Sequence, residues 1–265
     1  MTGHPSKPLE AAVEPFVPIT LEEMDSVKLL NRIDSKFLTS EETLLALLED
    51  ALKAGYRALQ TEGTKISPYS SVYYDTDGLK MFLDHHNKRL TRQKVRTRVY
   101  LNSGEAYLEI KRKNNHGRTK KKRTLIEQGQ MKDFSGNGQA CAYLAKHSAF
   151  TSSQISPVLS TSFWRITLVN PARTERLTID SGLEFENFRN GRSAGLLDTV
   201  VIELKQDGRA ASQMKNILLD HRIKPIRVSK YCIAVTLTDT CVKHNRFKAK
   251  VRAIEKTINK KIEVI

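Results

Sequence analysis

The sequence predicts an α+β domain with a large antiparallel sheet, charged on one face and apolar on the other. Three observations predict it. Charge alternates with apolar residues at a period of two in at least six segments: Arg32/Asp34/Lys36, Lys94/Arg96/Arg98, Glu109/Lys111/Lys113, Arg165/Thr167, Arg176/Asp180 and Glu203/Lys205. That period belongs to strands, whose side chains point to opposite faces in turn. Segments with helical spacing lie before, between and after the strands, enough to cover the apolar faces. Finally, the charged faces are rich in Arg and carry acids and bases together. A sheet with one wet face fits the alternation. So does a barrel that is apolar outside, under helices, and charged within. The barrel gives the cations a purpose, because a bore crowded with Lys and Arg is repulsive when empty and favourable around a polyanion and a divalent cation.

Taken in order, residues 1–18 hold Pro5, Pro8, Pro15 and Pro18 and predict a disordered or extended arm. Thr20 with Glu23 forms a capping box, with Ile19 placed to staple onto Met24, and predicts a short helix through Leu29 and Leu30. A strand follows over 31–37. Thr39 with Glu42 repeats the capping signature, and Leu44, Leu45, Leu48 and Leu52 form a helical stripe ending near Gly55. Residues 71–76 predict a strand and 77–87 a turn and short helix. Three strands over 94–101, 106–113 and 119–126 are joined by turns at 102–104 and 114–117, each containing a glycine. A short helix over 139–147 precedes long strands at 157–170 and 176–185 and a shorter one at 200–205. Ala210–His221 predicts an amphipathic helix with Met214, Ile217 and Leu218 inward, and Ser229 caps a last core helix. The division that results is an arm (1–18), one domain (19–242) and a basic tail (243–265), solvated helix or disordered.

The formal net charge of the 265 residues is +15. The stretch from Lys88 to Arg123 carries fourteen Lys or Arg residues against Glu105 and Glu109. An anionic partner is therefore expected: nucleic acid, a phosphate compound or an acidic membrane. Cys141, Cys232 and Cys241 form no CxxC pair and read as reduced residues of an intracellular protein. No run of about 18 apolar residues predicts a membrane span, and MTGHPSKPLE has no apolar core for a signal peptide. The expected location is the cytoplasm or the cytoplasmic face of a membrane.

The motifs RxDxK (Arg32, Asp34, Lys36), VRTRVY (95–100), LEIKRK (108–113), FWRITL (163–168), RLTID (176–180), VIELK (201–205) and SKY (229–231) occur in this order. Together, over about residues 20–240, they resemble the VTC domain, the polyphosphate polymerase module of the vacuolar transporter chaperone, especially its bacterial relatives. That family belongs to the triphosphate tunnel metalloenzymes, also called CYTH-like. The resemblance implies an eight-stranded antiparallel β-barrel tunnel with a charged interior and flanking helices. It also implies transfer of the terminal phosphoryl of ATP, or another nucleoside triphosphate, onto inorganic polyphosphate with Mn²⁺ or Mg²⁺. Carried onto this sequence, Lys36, Arg96, Arg98, Lys111, Arg123, Arg165, Arg176, Ser229 and Lys230 are the expected phosphate and nucleotide contacts. Arg96, Arg98 and Lys230 are the expected catalytic residues, and Glu203 the metal ligand. The alternation does not say which of Lys120–Arg123 point inward. The wider superfamily's hydrolases open with ExExK, whereas Arg32 and Asp34 stand here, so the site has fewer carboxylates and favours holding phosphate chains.

Phosphoryl transfer asks mainly for positioning and charge neutralisation. Arg offers bidentate phosphate contacts and Lys a point charge, while Mg²⁺ or Mn²⁺ usually binds through one or two carboxylates plus phosphates. The alternatives of the same fold are a metal-dependent triphosphate hydrolase and a non-catalytic polyphosphate- or nucleotide-binding domain. No nucleic acid is expected, since only 7% of residues are aromatic and the basic strands also carry acids. The basic tail suits an acidic membrane surface, a membrane-protein partner or bound polyphosphate. Plainer roles are open to several residues: Glu203 as a structural ion pair with Lys205, Asp34 as a partner for an arginine, Trp164 as core, and His85 and His86 as surface residues.

Overall fold

A computed structural model describes residues 4–25, 32–208 and 210–262. The chain begins with helix α1 (Lys7–Val13), strand β1 (Pro18–Ile19) and helix α2 (Leu21–Asp25). β2 (Arg32–Ser40), α3 (Glu41–Lys53), β3 (Arg57–Leu59), β4 (Ser67–Asp75) and α4 (Lys80–His86) follow. The basic stretch forms β5 (Arg92–Tyr100), β6 (Ala106–Lys113) and β7 (Thr119–Ile126). After α5 (Gly138–His147) come β8 (Ser156–Val169), β9 (Glu175–Asn187), β10 (Ser193–Leu196) and β11 (Thr199–Asp207). Helices α6 (Gln213–Asp220), α7 (Lys230–Thr238) and α8 (Lys248–Ile258) complete the chain.

Eight strands pair side by side in the order β2-β11-β9-β8-β4-β5-β6-β7, every neighbour antiparallel. Among the described residues the outer strands β2 and β7 share no pairing, so the sheet is a curled half-barrel. Its convex face is apolar. Ile166, Leu168, Leu177, Ile179, Ile202 and Leu204 pack beneath Leu44, Leu47 and Leu48 of α3 and Met214 and Leu218 of α6. Val72, Val95, Val99, Leu108 and Ile110 pack beneath Ala140 and Leu144 of α5. Trp164, half-buried, belongs to this apolar face as expected.

The concave face divides in two. At one end it is apolar and filled by α7, whose residues from Tyr231 to Thr238 are all buried. Leu183 and Phe185 of β9 reach that end because β9 carries an extra residue between its pairings to Ser162 and Trp164. Gly182 supplies the φ of +59° at this bulge, a conformation that disfavours a side chain. The rest of the concave face is charged.

The capping box of α2 forms as read: Thr20 N–H donates to Glu23 Oε2 at 3.0 Å and Glu23 N–H to Thr20 Oγ1 at 3.2 Å. Ile19 and Met24 share a cluster with Val169. Leu29 and Leu30, expected to extend this helix, lie outside the described residues. Three expectations are corrected. The N-terminal segment is helical over Lys7–Val13, with Ser6 as cap and Leu9, Val13 and Phe16 buried. Proline is tolerated in a first helical turn, where its missing N–H would have no partner, and the apolar stripe docks on α3. α3 starts one residue later than the Thr39/Glu42 signature implies, because Ser40 Oγ accepts from Thr43 N–H. His86 is not a surface residue: it is 1% exposed, with Nε2 2.8 Å from Asn245 Oδ1. No described helix is long and apolar enough to cross a membrane.

Candidate active site: the cation-lined concave face

Cross-strand register decides which charges meet. On β5, Arg92, Lys94, Arg96 and Arg98 share one face, and their β6 partners are Lys113, Lys111, Glu109 and Tyr107. On β7, Lys121 stands opposite Lys111 and Arg123 opposite Glu109. Partners directly opposite share a face, so Lys121 and Arg123 lie on the charged face and Lys120 and Lys122 on the other. On the far side Glu203 stands between Lys36 of β2 and Thr178 of β9, and Asp180 opposite Arg165. Ser229 and Lys230 open α7 from within the bore: Lys94 Nζ donates to Ser229 Oγ at 2.7 Å, and Lys230 Nζ lies 4.6 Å from the Phe163 ring centroid. Each expected site residue therefore sits on this face or at its lip.

The carboxylates here are already occupied. Glu109, fully buried, accepts from Arg96 Nε at 2.7 Å and Nη2 at 2.5 Å, and contacts Lys121. Burial opposes its charge, but Arg96, Arg98 and Lys121 outweigh it and hold the carboxyl well below the usual range. Asp180, 3% exposed, takes Arg165 in a bidentate grip, Nε–Oδ1 2.6 Å and Nη2–Oδ2 2.7 Å, and also Lys230. Burial again opposes the charge, and Arg165 and Lys230 prevail. Glu203 Oε1 lies 2.8 Å from Lys36 Nζ and 4.0 Å from Lys205 Nζ. Its carboxyl is likewise lowered, by Lys205, Lys36 and Lys111 against burial. Asp34 is the partner of Arg32, at 3.1 Å.

Several cations have no carboxylate partner among the described residues. Arg98, 6% exposed, donates Nε to Ser71 Oγ at 3.0 Å and lies beside the stacked rings of Tyr69 and Phe163, 5.3 and 5.7 Å from their centroids. Burial and the guanidiniums of Arg96 and Arg165 weigh against its charge and bring its pKa down to about 10. Lys111 is lowered well below the usual ammonium range by Arg96, by burial and by Arg98. Arg176 has a buried Nε without a hydrogen-bond partner and is lowered by burial and by Arg32. Burial should raise the phenol of Tyr73, yet Arg96, Lys94, Arg98 and Lys230 lower it. The potential inside the bore is strongly positive, and an anion is what would relieve it.

Residues 31–238, which hold every strand of the eight-strand path, match one known family, the VTC domain. The chain belongs to it. It is a polyphosphate-related protein of the triphosphate-tunnel fold. Among solved structures it is similar to a putative adenylyl cyclase from Hippeastrum with a dominant triphosphatase activity. The two share 15% identity over 77% of this chain and 95% of that one, with a TM-score of 0.51. It is also similar to a putative adenylate cyclase from Bacillus halodurans, at 15% identity over 76% and 96% and a TM-score of 0.49. At such identity the likeness concerns fold alone. No curated protein matches the chain.

Glu203, the carboxylate expected to hold metal, stands by itself: among the described residues no three His, Cys, Asp or Glu side chains group to hold an ion. One carboxylate fits Mg²⁺ or Mn²⁺ when substrate phosphates complete the shell, which is the arrangement a triphosphate site needs. Sequence reading places Lys94 and Glu109 on the charged face without assigning them to the site, and leaves Lys121 open within Lys120–Arg123. The alternation through Arg96 and Arg98 already carried Lys94. The pairing of Lys121 with Glu109 depends on register, which no local pattern contains.

Proposed function

We propose that this VTC-domain chain is a polyphosphate polymerase that moves the terminal phosphoryl of a nucleoside triphosphate onto an inorganic polyphosphate chain along the concave face. The observation that carries the reading is the set of cations left without carboxylates, Arg98, Lys111, Lys94 and Arg176, converging where Glu109, Asp180 and Glu203 are already neutralised. Arg98 and Lys111 grip the phosphates being transferred. Lys230 and Ser229 present the N-terminal end of α7, whose backbone dipole also favours anions. Arg96 and Arg165, locked on buried carboxylates, hold their guanidiniums in place so that little reorganisation is needed when charge moves. Glu203 would hold Mn²⁺ or Mg²⁺ together with the phosphates, and the ion would neutralise charge between donor and acceptor. The acceptor's terminal phosphate is anionic at neutral pH, so the reaction needs no general base. Glu109 and Asp180, both held ionised by guanidiniums, are poor candidates for one.

The triphosphatase activity of the Hippeastrum neighbour favours a second reading, hydrolysis of triphosphate on the same face. Product analysis separates them. With ATP and Mn²⁺ the polymerase reading expects chains that lengthen with time on a gel, and the hydrolase reading expects inorganic phosphate. With neither product, the chain is a binding domain. Glu203→Ala is expected to abolish turnover with the fold intact, and full activity in that variant would overturn the assignment of the metal position.

A further inference from the structure

The phosphate-binding face ends, at the β5–β6 hairpin, in a group of rings that phosphate binding does not use. Tyr100 of β5 stands opposite Tyr69 of β4, and Tyr107 of β6 stands between Arg98 of β5 and Leu125 of β7. Tyr69 and Tyr100 meet edge to face at 5.0 Å, and Tyr100 and Tyr107 do so at 5.9 Å. The Arg123 guanidinium lies 4.4 Å from the Tyr107 ring centroid. Aromatic cross-strand pairs stabilise sheets. That accounts for Tyr69, stacked on buried Phe163 at 5.6 Å. It does not account for the outer members: Tyr100 and Tyr107 are only half-buried, and Leu125 is 62% exposed. An apolar lip that stays wet costs free energy unless a ligand covers it.

We propose that Tyr100 and Tyr107, with Leu125 and the Arg123 guanidinium, form a shelf that stacks the base of the nucleoside triphosphate whose phosphates run into the bore. The proposal rests on the phosphate reading above and adds to it the nature and direction of the donor. Inorganic polyphosphate has no aromatic part and gains nothing from the rings, whereas a purine or pyrimidine stacks on phenol and guanidinium planes alike. Tyr107 and Arg98 share a cross-strand row, and the row of Arg96 and Glu109 lies two residues on, ~7 Å along the strand. A base on Tyr107 therefore sits next to the cations that grip its phosphates. The donor enters base-outward at the hairpin lip, with its terminal phosphate deepest.

The test compares ATP with inorganic tripolyphosphate by calorimetry, on wild type and on the double variant Tyr100→Leu, Tyr107→Leu, which keeps bulk but removes the rings. Wild type is expected to bind ATP more tightly than tripolyphosphate. The double variant should weaken ATP by about tenfold or more and leave tripolyphosphate unchanged, which also shows that it is folded. Tyr107→Phe should retain ATP affinity, because the ring and not the hydroxyl is used. Equal binding of both ligands by wild type, or equal losses of both in the double variant, overturns the shelf and leaves the phosphate face standing. A wild type that binds neither ligand overturns both.

Discussion

The two halves of the concave face differ in how their charges are balanced. On the half built from β8, β9, β11 and β2, most cations have a carboxylate: Arg165 and Lys230 on Asp180, Lys36 on Glu203, Arg32 on Asp34. On the half built from β5, β6 and β7, the buried Glu109 serves Arg96 and Lys121. Lys94, Arg98, Lys111 and Arg123 there have no carboxylate partner among the described residues. Arg176 apart, the charges of the first half satisfy one another, a scaffold that holds with or without ligand. The second is incomplete, and its missing negative charge is what a polyphosphate chain would bring.

The largest expected effect tests where the balance is tight. Glu109→Gln leaves Arg96 buried beside a neutral amide, and breaking such a pair typically costs about 3–5 kcal/mol. Urea denaturation should show that loss, and an unchanged midpoint would mean that Glu109 is not holding Arg96. Arg98→Met tests the opposite case. Triphosphate affinity should fall on the order of 100-fold, while the melting temperature holds or rises because an unmatched buried charge has gone. Unchanged affinity would mean that the surplus half is not the ligand wall.

A smaller effect concerns the metal. With Lys36 2.8 Å from Glu203, that carboxylate already has a cation. Mn²⁺ binding, followed by electron paramagnetic resonance, should be weak without triphosphate and tighten with it. Glu203→Gln should reduce the tightening, and strong Mn²⁺ binding to the bare protein would contradict the single-carboxylate assignment.

The smallest effect is in pH. Burial lowers Lys205 to about 8, aided by Arg176 and Arg165 and resisted by Glu203. Above pH 8 the folded protein loses this proton while an unfolded chain keeps it up to the ordinary lysine range. Unfolding therefore takes up a proton there, and this group's contribution makes stability rise with pH between about 8 and 10.5. Triphosphate affinity moves the other way, falling a few-fold over that window as the cation is lost. Lys205→Arg, which stays charged, should flatten the decline, and an identical profile would assign the titration to another lysine.

Much of this was legible in the sequence because strands report their faces locally. The alternation through Lys94, Arg96 and Arg98, through Lys111, and through Glu203 and Lys205 named the charged face, and Ser229 was read correctly as the cap of α7. Short elements were not legible. β1, β3 and β10 have two to four residues and no pattern of their own. α1 was hidden because its prolines read as disorder, although Ser6 and the Leu9/Val13 spacing carried the opposite signal. The histidine pair misled for a related reason: a polar helix end becomes interior only when Asn245 and Phe247 fold over His86 from far along the chain.

The sequence by itself determined that Lys94, Arg96, Arg98, Glu109 and Lys111 line a charged face of a sheet, since side-chain direction follows from a period of two. Which charges remain unbalanced was decided only by tertiary structure. Register chose Lys121 and Arg123 over Lys120 and Lys122, placed Glu109 under Arg96, and left Arg98 with a serine. Neutralisation is a relation between strands distant in sequence, and its strength depends on burial as well as on the charges themselves.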